Sequence, residues 1–178
     1  MMKHIKFYFL SIVLLITSCT NETNMLKQNK DDLLGGVSTA ICYLGFRAGQ
    51  HPDRGNGAVN PSYEEILEDL QILSHNNNFK LIRVYDSGEN SEMVLKVIRE
   101  NNINIKVLLG IWLRAELSNH ETCAWLSEPI PDSILNQNKR LNQEEIQKGI
   151  FLANQYKDVV IAVNVGNEAL VDWKDRKS

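Results

Sequence analysis

The stretch "VVIAVNVGNEALVDW", residues 159–173, is apolar at nearly every position until it meets Gly166, Asn167 and Glu168. A strand that faces solvent on one side alternates apolar and polar residues, whereas one buried on both faces does not. This run is therefore expected to be a parallel strand in the middle of a sheet, closed by a glycine, an amide and a carboxylate. Three earlier runs share its character: "STAICYLGF" (38–46), "KLIRVYD" (80–86) and "IKVLLGIW" (105–112).

Helical patterns separate the four runs. Ser62 with Glu65 three residues on has the spacing of a capping box, and Ile66, Leu67, Leu70 and Leu73 follow at helical intervals until "SHNNN" (74–78). Asn90 or Ser91 is expected to open a second helix with Met93, Val94, Val97 and Ile98 on one face, closed by "ENNIN" (100–104). After the third run come a helical segment from Leu113 to about Leu126, a loop at Pro129 and Pro131, and a helix from about Asn142 carrying Ile146, Ile150 and Leu152. Strand, helix, strand, helix, strand, helix, strand is the order of an α/β fold with a parallel sheet and right-handed crossovers. An open doubly wound sheet and a (β/α)8 barrel both satisfy it. The dinucleotide-binding form of the open sheet lacks its main sign, because "YLGFRAGQHP" (43–52) has no G-x-G-x-x-G spacing.

Composition sets outer limits on function. The chain has 178 residues, 43% hydrophobic and 23% charged, which is ordinary for a globular domain. Nineteen basic against twenty-two acidic residues give a net charge of −3, and no Lys/Arg block resembles a nucleic-acid footprint. No nucleic-acid partner is expected. Cys42 and Cys123 read as small buried hydrophobes rather than a bridge, and nothing near them has metal-ligand spacing, so neither metal nor cofactor is expected.

Residues 1–18 read as an export signal: Lys3, His4 and Lys6 precede "FYFLSIVLLI" (7–16), an apolar run too short to span a bilayer comfortably. The "ITSC" that follows resembles the lipobox of bacterial lipoproteins, which implies lipidation of Cys19 and anchoring to a bacterial membrane, outer membrane or cell surface. Cleavage near Ser18 and secretion is the alternative. Residues 19–37 are polar, as a tether should be, and the domain is expected to occupy 38–178.

In a parallel α/β fold the functional mouth lies at the carboxyl ends of the strands. Those ends supply Arg47; Arg83, Tyr85 and Asp86; Trp112 and Arg114; and Asn164, Asn167 and Glu168, with Trp173 slightly beyond. Carboxylates, amides and aromatics at one mouth suit a sugar, whose hydroxyls need donors and acceptors and whose ring faces stack on aromatic planes. Each candidate also has a structural role open to it. Glu168 could favour the dipole of a following helix, Arg83 could be a buried ion-pair partner, and Asp86 and Glu89 fit turn chemistry around Ser87-Gly88. Trp112 is the plausible stacking platform, while Trp125 on a helical face reads as core.

The runs "RVYDSGE" (83–89), "IKVLLGIW" and above all "IAVNVGNEAL" (161–170) resemble consecutive strands of glycoside hydrolase family 17, the β-1,3-glucanases, over about residues 38–173. The resemblance implies a (β/α)8 TIM-type barrel cleaving β-1,3-glucan with retention. It also implies Glu168 as general acid/base, Asn167 bonding the sugar beside the scissile bond, and Tyr85 near the same subsite. Asp86, Trp112 and Arg83 are further candidates for substrate binding. A barrel of this kind takes about 250 residues and about 160 follow Cys19, so the chain is expected to hold only the first four strands; the resemblance implies that the nucleophile lies on a later strand, beyond Ser178. On that expectation the chain alone is inactive, and its outer strands are open to edge pairing or to a missing C-terminal half. A glucan-binding surface lipoprotein of a polysaccharide-uptake system, without catalysis, is the other function the sequence allows.

Overall fold

Four parallel strands pair in chain order, and that order decides between the two architectures. The computed structural model describes residues 38–50, 59–76, 78–118 and 128–167. Within them β1 (Ala40–Cys42), β2 (Leu81–Arg83), β3 (Lys106–Ile111) and β4 (Val160–Val165) form one sheet in the order β1-β2-β3-β4. A doubly wound sheet reverses its strand order at a switch point. Strictly sequential parallel pairing does not, and right-handed crossovers then put every helix on the same side of the sheet. The fold is therefore α/β of the (β/α) barrel type, and the described residues supply four successive strands of it.

Register explains the layering. Ile82 pairs with Val107, and Leu109 and Ile111 pair with Val163 and Val165. These residues share one face, where Ile82, Val107 and Leu109 are fully buried. The core they enter also contains Ile66 and Leu70 from α1 (Tyr63–Gln71), Val94, Leu95, Val97 and Ile98 from α2 (Glu89–Glu100), and Leu152 from α3 (Asp132–Gln155). Because strand side chains alternate, Cys42, Arg83, Leu108, Gly110 and Asn164 look the other way, toward the barrel side. A register shift between Val107 and Leu108 interrupts the alternation on β4, so that Val160 and Val163, three residues apart, both pair with core-facing positions of β3.

Local chemistry fixes the helix ends. Ser62 caps α1 as expected: its hydroxyl accepts from the Glu65 N–H at 3.2 Å, and the Glu65 carboxylate accepts from the Ser62 N–H at 2.8 Å. A π-helical turn, Ile72–Asn76, carries the chain out of α1, and Asn78 then takes a left-handed backbone conformation. On the opposite rim from the mouth, Arg99 ties α2 to the end of α3. Its guanidinium lies 3.9 Å over the Tyr156 ring, donates to the Gln155 carbonyl and pairs with Asp158 at 3.1 Å. That is the face on which barrel proteins place their stability contacts.

Four expectations need correction. The second helix opens at Glu89 with Gly88 as its cap, not at Asn90 or Ser91, because Asp86 takes the capping role from two residues upstream. The third begins at Asp132 rather than about Asn142; its first ten residues lie mostly in solvent, so they carry no apolar stripe to announce a helix. Residues 113–118 are not helical, since both the N–H and the carbonyl of Arg114 are taken by the Asn142 side chain and are withdrawn from any helical ladder. Finally, β4 is not buried on both faces: Val163 is 42% and Val165 61% exposed, because this strand pairs only with β3 among the described residues. No helix among the described residues is long and apolar enough to cross a membrane.

Candidate functional site

At the end of β4 the chain leaves the sheet through Gly166, whose φ of 78° lies in the left-handed region that side chains disfavour. Its N–H still bonds the Ile111 carbonyl at 2.9 Å, and its own carbonyl accepts from the Asn164 amide at 2.8 Å. The turn is thus fastened on both sides. Immediately after it, the side-chain Oδ1 of Asn167 accepts a 2.8 Å hydrogen bond from the Arg83 guanidinium.

Arg83 is the hub of this arrangement. Its guanidinium stacks 4.6 Å over the Tyr85 ring as well as bonding Asn167. Among the described residues it makes no ion pair. Its Nε is buried with no hydrogen-bond partner among the described residues. Interaction with the Cys42 thiol, then burial, hold the Tyr85 phenol above the ordinary tyrosine range, while the Arg83 charge acts in the opposite sense. Side chains from the β2 end and the β4 end are thereby connected across the barrel side of the sheet.

A close backbone approach makes the connection possible. A Cβ added to Gly110 on β3 would collide with the backbone of Tyr85 and Val84. Only glycine lets the end of β2 lie this near β3, and Tyr85 is carried inward with it. Cys42 itself is free and exposed, not the small buried hydrophobe expected, because its strand position points it to the barrel side rather than to the helices.

The other mouth residues are arranged separately. Asp86 Oδ1 accepts from the Gly88 N–H at 2.8 Å and the Ser91 hydroxyl at 3.1 Å, so one carboxylate oxygen serves the turn that caps α2. Glu89 is exposed, within 3.4 Å of the Asn60 amide. Arg47 turns back onto α1, pairing with Glu68 at 2.8 Å and Asp69 at 2.9 Å. Tyr43 also donates to Asp69, and burial together with the Asp69 charge pushes its phenol far above the usual range. Trp112 stands 42% exposed at the end of β3, not bonded to the Arg83 cluster but open to a ligand's apolar face.

Two polar residues at this end were not singled out from the sequence. Glu145 Oε1 accepts from the Ser87 N–H at 2.7 Å and the Trp112 N–H at 3.2 Å. One turn earlier, Asn142 brackets Arg114 through its N–H at 2.8 Å and its carbonyl at 2.9 Å. The available signal was Asn142, Glu145 and Gly149 at helical spacing on one face of α3, obscured by starting that helix at Asn142. Glu168, Cys19, Cys123, Trp125 and Trp173 lie outside the described residues, as do the export signal and tether at 1–37. Among the described residues no three His, Cys, Asp or Glu side chains gather so as to hold a metal ion.

No protein-family model matches this chain, and no curated protein matches it. A solved structure, that of an endo-laminarinase from Formosa Hel1_33_131, is similar with a TM-score of 0.54 at 28% identity. The likeness covers 76% of this chain and 32% of the other, so the chain spans about a third of the length of the protein it matches. It agrees with the parallel sheet in supporting a glycoside-hydrolase-like barrel.

Proposed function

We propose that this chain carries the acid/base part of a glycoside hydrolase of family 17, acting on laminarin-type β-1,3-glucan with retention of configuration. The observation that carries this reading is the likeness, at 28% identity, to an endo-laminarinase. The described mouth is compatible with it. Asn167 presents its side chain next to Arg83 and Tyr85 at the sheet's carboxyl edge, and Trp112 offers a stacking surface nearby in sequence order of strands.

In this reading Arg83 fixes the Asn167 carbonyl oxygen, which leaves the Asn167 NH2 as a donor toward a sugar hydroxyl. Glu168, the next residue, is the general acid that protonates the glycosidic oxygen as the bond breaks. A second carboxylate, about 5 to 5.5 Å from the acid in retaining enzymes, forms the glycosyl intermediate, and Glu168 then takes a proton from the attacking water. Tyr85, stacked under the Arg83 guanidinium, hydrogen-bonds the same sugar in this reading. Cys19, lipidated after export, anchors the protein to a bacterial membrane.

Calorimetric titration of the chain with laminari-, cello- and xylo-oligosaccharides tests the substrate class. Selective binding of the laminari series, weakened about tenfold in Asn167→Ala by loss of one polar contact worth about 1.4 kcal/mol, is expected. Equal binding of all three series, or none by a folded chain, would remove the basis for the proposal. Hydrolysis by the reading frame containing this chain should release the retained anomer and fall by about 10² to 10⁴ in Glu168→Gln. Incorporation of a tagged fatty acid, lost in Cys19→Ala, tests the anchor.

A further inference from the structure

Glu145 lies on α3, away from the strand ends, yet its carboxylate reaches two separate loops of the mouth. Oε1 accepts from the backbone N–H of Ser87, in the loop after β2, and from that of Trp112, at the end of β3. The Glu145 carbonyl also accepts from the Ser87 hydroxyl at 3.0 Å, and Ser87 is fully buried. One oxygen shared by two main-chain donors fixes the spacing of those donors, because neither loop can shift without stretching a charge-assisted bond.

The helix that carries Glu145 is itself seated at this point. One turn on, Gly149 sits so close that an added Cβ would lie 2.8 Å from the Ile111 side chain, the residue before Trp112. One turn back, the Asn142 side chain, 2% exposed, holds both backbone groups of Arg114 and donates to Glu116 at 2.9 Å. Residues 142, 145 and 149 thus form one face of α3 that grips the chain on both sides of Trp112. The indole remains 42% exposed while its backbone is held from two directions.

We propose that Glu145 is a positioning residue that sets the Trp112 ring at a fixed distance from the Tyr85–Arg83–Asn167 cluster, so that the mouth accepts a sugar chain with one ring on the indole and the next at the cluster. The inference rests on the glucan reading for the identity of the ligand. The contacts themselves do not. The carboxylate's role is to accept two N–H bonds, so glutamine, which keeps an acceptor oxygen of the same reach, should largely replace it, and alanine should not.

The test uses the full chain and the variants Glu145→Ala and Glu145→Gln, with laminarioligosaccharide as the probe. Amide hydrogen exchange at Ser87 and Trp112 should accelerate together in the alanine variant by about tenfold or more, equivalent to one lost hydrogen bond of about 1.4 kcal/mol. The oligosaccharide Kd should rise at least fivefold with it. Both values should return to within about twofold of wild type in the glutamine variant. Exchange unchanged at either amide, or an unchanged Kd in a folded alanine variant, overturns the positioning role. If alanine proves unstable, Glu145→Gln carries the test: exchange at Ser87 and Trp112 and the Kd should stay within about twofold of wild type, and a folded glutamine variant whose Kd rises more than fivefold overturns the acceptor role. A wild-type chain that binds no laminarioligosaccharide overturns the glucan reading, and the exchange result then decides separately whether Glu145 couples the two loops.

Discussion

The bond between Arg83 and Asn167 gives the sharpest check on the site, because it joins residues 84 positions apart and one partner is charged. A charge-assisted hydrogen bond contributes about 1.5 to 3 kcal/mol when buried. Both side chains are half-buried, so the lower end, about 1.5 kcal/mol, applies to Asn167→Ala. Arg83 already has a buried Nε with no partner among the described residues, and the alanine variant leaves it with the Tyr85 ring as its remaining described contact, an interaction of about 0.5 to 1 kcal/mol. Arg83→Met keeps the apolar stem and removes the unsatisfied donor, so its cost should be smaller, about 1 kcal/mol. In the double variant the bond is lost only once, and a coupling of about 1 kcal/mol is expected. Urea unfolding followed by far-UV circular dichroism reads these numbers directly. With a slope of about 2 kcal/mol per M, the Asn167→Ala midpoint should fall by about 0.7 M. Additive effects, with coupling under about 0.3 kcal/mol, would mean that the pair does not form in solution and that the Gly166 turn does not deliver Asn167 to Arg83.

Gly110→Ala should cost at least about 2 kcal/mol in the same unfolding assay and raise the oligosaccharide Kd, since the new methyl group meets the Tyr85 and Val84 backbone and not a flexible side chain. Removing the cap of α1 by Ser62→Ala should cost about 1 kcal/mol, with Glu65→Gln milder because glutamine can still accept from the Ser62 N–H. Tyr43 gives a pH signature. Its folded phenol is raised by burial and by Asp69, whereas an unfolded tyrosine ionises at about 10. The folded state therefore keeps a proton that the unfolded state loses, so the Tyr43 contribution is complete below about pH 10 and declines as pH rises above it. Thermal unfolding from pH 8 to 11 should show a shallower alkaline decline in Tyr43→Phe than in wild type. Equal slopes would refute the assignment.

Much of the fold was legible in short-range pattern. Period and capping chemistry located four strands and the start of α1, because the Ser62 and Glu65 signal acts within one turn. The errors fall where the deciding partner is distant. Residues 132–141 are helical without an apolar stripe, and residues 113–118 avoid a helix because Asn142 competes for their backbone groups. Cys42 looked like a core residue in a strand-like run, yet which face of a strand it occupies depends on register with Arg83 across the sheet.

By itself, the sequence determined the α/β order, the parallel strands, and the gathering of Arg83, Tyr85, Trp112 and Asn167 at strand ends, since strand polarity sends every carboxyl end to the same side. Only tertiary structure chose sequential pairing over a doubly wound sheet. It also made Arg83 a brace for Asn167 and brought Glu145 of α3 to the backbone of two loops. The reason is physical: periodicity and caps are set by neighbours within a turn, whereas a hydrogen bond between residues 83 and 167 depends on how the end of β2 packs on the glycine at 110 and where the turn at 166 sends Asn167.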